Sequence, residues 1–250
     1  MNFRFFFLGL LVFFSVFLGG EKLFAQEAAL NFDINSLAGP VNFSSTTSLL
    51  VALSSISLVP FFLISTTCFL RIAIIMSMIR NALGTQQSPP NPVLVALTLF
   101  MTIFVMSTTF QEVYTKAIKP YQDKKITQEQ AITRGMEPFR VFMLKFTREK
   151  DLALFMEFSG LKQITNSKDV PIYVLIPAFI ISELKTAFQI SFIIFIPFIV
   201  VDLVVSNILL SLGMFMLSPV MISLPFKILL FVLTDGWNLI IRGILTSYRI

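Results

Sequence analysis

The chain has 250 residues, of which 56% are hydrophobic and only 13% charged, with a mean hydropathy of +0.84. About a quarter of an ordinary soluble domain is charged, so half that fraction excludes a typical soluble enzyme and points to a membrane protein. The net charge of +5 in so apolar a chain reads as loop and headgroup charge, not as a nucleic-acid footprint, and the chain holds no His and a single Cys, Cys68, which excludes His-based catalysis, His metal ligation and an intrachain disulfide.

Residues 1–25 read as a secretory signal. Arg4 supplies the positive start, and 5–18 form an apolar run broken only by Gly9 and Ser15, short for a span and right for a signal core. Cleavage is expected after Ala25, with an uncleaved first membrane helix as the other reading. Residues 26–48 are Ser/Thr-rich, with Gly39-Pro40 as a turn signal, and read as an extracytoplasmic linker. The region 49–110 holds two apolar stretches. The first, 49–79, is longer than one span needs and is interrupted by Pro60 and Arg71; the second, 93–110, carries no charge. Between them the prolines at 89, 90 and 92 forbid a continuous helix, and Gly84 can stop the preceding one.

Residues 111–170 hold 11 of the 19 basic and 8 of the 14 acidic residues, so most of the charge sits in one extracytoplasmic helical subdomain. Thr127-Gln128-Glu129-Gln130 fits a capping box. Ile132, Met136, Phe139, Met143 and Phe146 then recur as one helical stripe, which either packs on its own chain or faces a neighbouring subunit. Gly135 and Pro138 are expected to split this stretch into two helices.

Residues 171–250 are apolar again, yet carry Pro171, Pro177, Pro197, Pro219 and Pro225 and the charges Glu183, Lys185, Asp202, Lys227, Asp235 and Arg242. An ionised residue at a bilayer centre costs about 2.5–3.5 kcal/mol on insertion scales, so this half is expected to be shielded by protein, as broken helices and hairpins over 171–201 and 203–234. The island Ser182 to Gln189 contains Glu183 and Lys185, two positions apart and so on different helix faces; each needs a partner in another hairpin or another chain. Leu212 to Pro219 reads as a bend carrying the flexible thioethers of Met214 and Met216. An outside N-terminus leaves the basic 111–170 segment outside as well, against the positive-inside rule, which weakens for loops of about 60 residues.

Several ordered motifs resemble the FliP family of the flagellar export apparatus, whose virulence-system counterpart is SctR. They are Arg71; Arg80-Asn81-Ala82-Leu83-Gly84-Thr85-Gln86-Gln87-Ser88-Pro89-Pro90-Asn91; Pro138-Phe139-Arg140-Val141-Phe142-Met143; Thr147-Arg148-Glu149-Lys150-Asp151-Leu152; the run from Pro177 to Ile190; and that from Leu224 to Trp237. The match covers the chain from about Thr66 onward, with Pro92 where Gln is usual and Ser191 where Gly is usual.

The resemblance implies an all-α membrane protein whose broken helices and hairpins assemble with other subunits into a ring. Five such chains join FliQ and FliR, with FlhB and FlhA as further partners, in a gate that passes unfolded flagellar proteins across the inner membrane at the basal body. It implies that Met214 and Met216 belong to a pore gasket. It implies that Glu183, Lys185, Asp202, Lys227 and Asp235 are buried charges between subunits. No catalytic residue, cofactor or metal is implied. The alternatives are a virulence-system homologue and an ion-coupled secondary transporter using Glu183, Asp202 and Asp235; an intramembrane protease lacks the motifs it needs.

Overall fold

The computed structural model describes residues 57–58, 60–85, 87–160 and 170–248. The expected signal peptide and linker, 1–48, lie outside the described residues, as do 161–169 within the charged segment. Ser57 and Leu58 belong to a first unit that ends at Val59, and Pro60–Ile250 form a second. The described residues are helical throughout their regular structure, with no strand among them.

Helix α1 (Pro60–Thr66) stops because its last threonines turn back on the chain. Thr66 Oγ1 donates to the Phe62 carbonyl at 2.7 Å, and Thr67 Oγ1 to that of Leu63 at 2.5 Å. Thr67 Oγ1 also accepts from the Phe69 amide at 3.2 Å, which starts α2 (Phe69–Leu83). Such local bonds compete with the helical ladder, and α2 leaves α1 at 85°. Over the described residues from Pro60 onward, the long apolar stretch is thus two helices meeting at Thr67-Cys68. Helix α2 ends as its sequence suggests, with Gly84 in the left-handed conformation at φ 75° and its amide bonded to the Asn81 carbonyl.

Helix α3 (Asn91–Val105) starts behind Pro90, with Pro92 in its first turn, where a missing amide costs nothing. It meets α4 (Ser107–Gln122) at a 61° bend at Met106, so the second apolar stretch is also broken. A π-turn, Tyr114–Ile118, interrupts α4. Helix α5 (Gln128–Phe146) opens on the predicted capping box, with Thr127 and Gln130 exchanging side-chain and backbone bonds at 3.3 Å each.

The expected split of α5 at Gly135 and Pro138 does not occur: the helix is continuous through both. Pro138 forfeits a single ladder bond, and the carbonyl it frees belongs to the exposed Arg134. Gly135 instead permits close packing, since a Cβ there would lie 3.4 Å from Ala117 on α4. The α5 stripe is used unevenly. Phe139 and Met143 are buried, Phe139 against the rings of Phe62 and Phe110, whereas Ile132 is exposed.

Helix α6 (Glu149–Phe158) follows a two-residue corner, and its first turn carries Glu149 and Asp151, the favourable end for acids. Helix α7 (Ile172–Ser211) is a single 40-residue element, about 60 Å long at 1.5 Å per residue. It is long and apolar enough to cross a membrane, and the three bent pairs α1–α2, α3–α4 and α8–α9 meet the same test only if each counts as one broken span. The expected break near 202 is absent: α7 runs through Pro197 and Asp202 and ends nine residues beyond, where Gly213 turns the chain at φ 72°. The last two helices are α8 (Pro219–Leu233) and α9 (Gly236–Ser247), bent by 64°.

The core lies where α2 meets the first half of α7. Arg71, Ile72, Ile75, Met76 and Ile79 on α2 form one helical stripe. Val174, Leu175, Ala178, Phe179 and Glu183 are buried with it on α7. Beyond Ser191 the burial of α7 thins to Phe198, Val205 and Leu209, and Phe192, Ile193, Leu203, Val204 and Ile208 lie exposed.

Candidate functional site

The polar island of α7 serves two directions at once. Ser182, Lys185, Thr186 and Gln189 recur at spacings of 3, 1 and 3 and share a helix face, while Glu183 lies about 100° away. That geometry sends Glu183 to α2 and the other four to α6.

On the α2 side, Arg71 and Glu183 form a two-pronged ion pair. Arg71 Nε donates to Glu183 Oε2 at 2.9 Å, and Nη2 pairs with Oε1. The side chains are 3% and 0% exposed, so the pair is fully desolvated. Such burial is tolerated only when the remaining donors and acceptors are filled. Here Arg71 Nη1 donates to Ser247 Oγ at 3.1 Å, and Tyr248 Oη donates to Glu183 Oε2 at 2.6 Å. The Tyr248 ring also lies 4.0 Å beneath the guanidinium, close enough for a cation–π contact.

On the α6 side, Asp151 accepts from Ser182 Oγ at 2.8 Å and pairs with Lys185. The Arg148 amide donates to Ser182 Oγ at 3.0 Å, and its guanidinium to Thr186 Oγ1 at 3.0 Å and Gln189 Oε1 at 2.6 Å. Burial alone would raise the Asp151 carboxyl, but the hydrogen bonds from Lys185 and Ser182 outweigh it and hold Asp151 below its ordinary value of 3.8. The stability that this depressed group supplies is present above that value and lost as the pH falls below it. Asp151 is buried, whereas Lys185 is 52% exposed and keeps most of its hydration. Replacing Lys185 by Ala is therefore expected to cost about 1 kcal/mol or less, as for exposed pairs. Asp151→Ala, which strands Ser182 and Lys185 together, is expected to cost more. Thermal unfolding of the two variants in mild detergent checks the order, and an equal or larger loss for Lys185→Ala would contradict it.

A third pair pins the α7–α8 hairpin. Lys227 Nζ donates to Asp202 Oδ2 at 2.6 Å, and Ser223 Oγ to Oδ1 at 2.5 Å. Ser223 and Lys227 are one helical turn apart on α8, so both reach the same carboxylate. Lys227 is buried and Asp202 partly open. Together the two bonds fix one register between α7 and α8.

The five charges expected between subunits thus divide. Glu183, Lys185, Asp202 and Lys227 have opposite charges within the chain, so compensation does not itself require a second copy. Two are exposed in the single chain, Lys185 and Asp235 at the α8–α9 corner, and Asp202 is partly open. Asp235 adopts the left-handed conformation at φ 50°, which Asp tolerates better than most residues. It is a turn residue, and Arg242 is exposed on α9. Met214 and Met216 lie on the turn between α7 and α8, and both are exposed, Met216 completely.

Sequence reasoning treated Arg71 as an interruption and did not select Asp151 or Tyr248. The signal for Arg71 was available, since it is the lone charge in an apolar stretch that must find an acid. Nothing in the local pattern marks Tyr248, which is buried only because α9 brings it beneath Arg71.

Residues 52–244 match the model of the FliP family. The chain is 52% identical over 216 residues to the flagellar biosynthetic protein FliP of Bacillus subtilis (strain 168), covering 86% of this chain and 98% of that one. It is 50% identical over 210 residues to the FliP of Pectobacterium carotovorum subsp. carotovorum, covering 84% and 81%. It is 43% identical over 213 residues to the FliP of Aquifex aeolicus (strain VF5), covering 84% and 89%. With the motifs around Arg71, Asp151, Glu183 and Lys227 inside the matched span, the chain belongs to the FliP family.

Proposed function

We propose that this chain is a non-enzymatic, pore-forming subunit of the flagellar type III protein export gate, passing unfolded flagellar proteins across the inner membrane. The relatives are named as flagellar biosynthetic proteins, which supports a role in building the flagellum. The observation that carries the reading is the α7–α8 hairpin. Its ion pair holds it rigid from inside, while Phe192, Ile193, Leu203, Val204, Ile208, Met221, Leu229 and Val232 leave its outside apolar. A 60 Å helix is about twice the hydrocarbon thickness of a bilayer; α2 and α6 cover its first half within the chain, and neighbouring subunits would share the apolar second half with lipid. The gate would be a ring of five copies with FliQ and FliR, with FlhB and FlhA beside it in the basal body. Glu183, Lys185, Asp202, Lys227 and Asp235 would then set the shape that each copy offers its neighbours.

The test is purification with FliQ and FliR in mild detergent, followed by a mass measurement. A particle holding several copies of this chain with both partners is expected; a lone monomer or small dimer would overturn the reading. Met214 and Met216 would line the closed passage, where flexible thioethers fill an irregular gap. Changing both to Ala is expected to make cells several-fold more permeable to a small hydrophilic dye. Uptake equal to that of the unaltered strain would remove the gasket role.

A further inference from the structure

Tyr248 joins four helices at one point. It follows α9, donates to Glu183 on α7 at 2.6 Å, and lies 4.0 Å under Arg71 of α2. Its ring meets Phe146 of α5 edge-on at 5.0 Å and stacks on Phe142 at 6.3 Å. The rest of α9 holds on by a narrow stripe. Ile244 and Ile240 are buried one and two turns before Tyr248, whereas Leu239, Arg242, Gly243 and Thr246 are exposed. A Cβ at Gly243 would meet nothing within 4 Å. The helix is amphipathic, bent away from α8, and fastened at its far end by the adjacent polar residues Ser247 and Tyr248.

We propose that Tyr248 is the clasp of a C-terminal strap, and that its release opens the buried Arg71–Glu183 pair and the α1–α2 corner together. Lifting Tyr248 removes the phenol from Glu183 Oε2 and, with Ser247, uncovers the guanidinium on its open side. Water then reaches a pair that is otherwise sealed. The stacking on Phe142 and Phe146 also ties the charged helical segment to this event, because α5 loses its aromatic neighbour at the same moment. Local opening of this kind draws on segments with few buried contacts, and α9 is such a segment. The inference is independent of the export-gate reading, since it concerns an opening within one chain.

Cys68 is a built-in reporter. It is the chain's single cysteine, fully buried, and one helical turn before Arg71. It caps the helix that carries Arg71, and its thiol meets the Thr102 carbonyl of α3 at 3.9 Å. The experiment follows labelling of Cys68 by N-ethylmaleimide in the full-length protein in native membranes, read as a mass shift. The unaltered chain is expected to label slowly. Tyr248→Ala is expected to label about tenfold faster or more, because it loses a hydrogen bond to a charged group together with the ring. Tyr248→Phe, which keeps the ring, should fall between the two, and most of its acceleration should vanish in a Glu183→Gln background, where the charged acceptor is gone. Leu239→Ala, on the open face of α9, should label at the unaltered rate. If Tyr248→Ala does not accumulate, Tyr248→Phe decides alone. A Tyr248→Phe rate equal to the unaltered one, or a Leu239→Ala rate as fast as Tyr248→Ala, would overturn the clasp.

Discussion

Replacing Glu183 by alanine is expected to destabilise the chain by about 3–5 kcal/mol, the loss seen when one partner of a buried ion pair is removed. With its side chain 3% exposed, the Arg71 guanidinium has no water to turn to. Arg71→Ala strands the carboxylate in the same way: Tyr248 still donates to it, just as Ser247 still accepts from Arg71 in the first variant. The exchange of both partners separates the pair's worth from the penalty of breaking it. An Arg71→Met, Glu183→Leu double variant keeps the volume and removes both charges, and it is expected to recover much of the loss. Unfolding in detergent and the yield of folded protein give the measurement. A double variant as unstable as the worse single one would mean that the pair's shape, not its charge balance, holds α2 to α7.

The contrast with Lys185 follows from the same island. Glu183 and Lys185 look equivalent as ionised residues in an apolar run, and a count of charges gives them equal weight. The helix places them on different faces, one sealed against α2 and one open beside α6, so their removal should differ by several-fold in free energy.

Much of this was legible from residues alone. The capping box at Thr127, the stop at Gly84 and the need for two separate partners for Glu183 and Lys185 all follow from local stereochemistry and helical spacing. Local rules failed where tertiary packing outvoted them. Pro138 and Gly135 read as breakers, yet one missing bond is small beside the burial of Phe139, Phe142 and Met143 on the same helix. Asp202 reads as the end of a span, yet Ser223 and Lys227 compensate it from α8 and the helix runs on. In the other direction, the apolar pattern conceals the bends at Thr67-Cys68 and Met106, because hydropathy says nothing about threonine side chains that bond back to their own helix. The ion-pair partners were the least legible, since Arg71 and Glu183 are 112 residues apart and only the fold decides which acid meets which base.

Gly236→Ala tests the corner that follows Asp235. A Cβ at Gly236 would lie 2.3 Å from Cδ2 and Cε2 of Phe231 and 2.8 Å from its Cγ, far inside contact distance. The atoms met belong to the body of a ring whose own Cβ is fixed to α8, so the ring must leave or the corner must open. Phe231 is buried, 5.3 Å from Trp237 in an edge-to-face pair and 6.4 Å from Phe198 of α7. Moving it disturbs both the 64° bend and the seam between α7 and α8. Overpacking of this kind costs about 1–3 kcal/mol, and the loss should sit at the upper end here because two aromatic contacts go with it. The compensating change is Phe231→Leu, which shortens the side chain that meets the new methyl. The double variant is expected to be more stable than Gly236→Ala alone, a sign reversal, since Phe231→Leu by itself leaves a cavity and should destabilise. Unfolding of the four proteins in detergent, with Trp237 fluorescence as a local signal, measures the coupling. Additive losses in the double variant would show that the cost of Gly236→Ala does not come from the approach of Phe231.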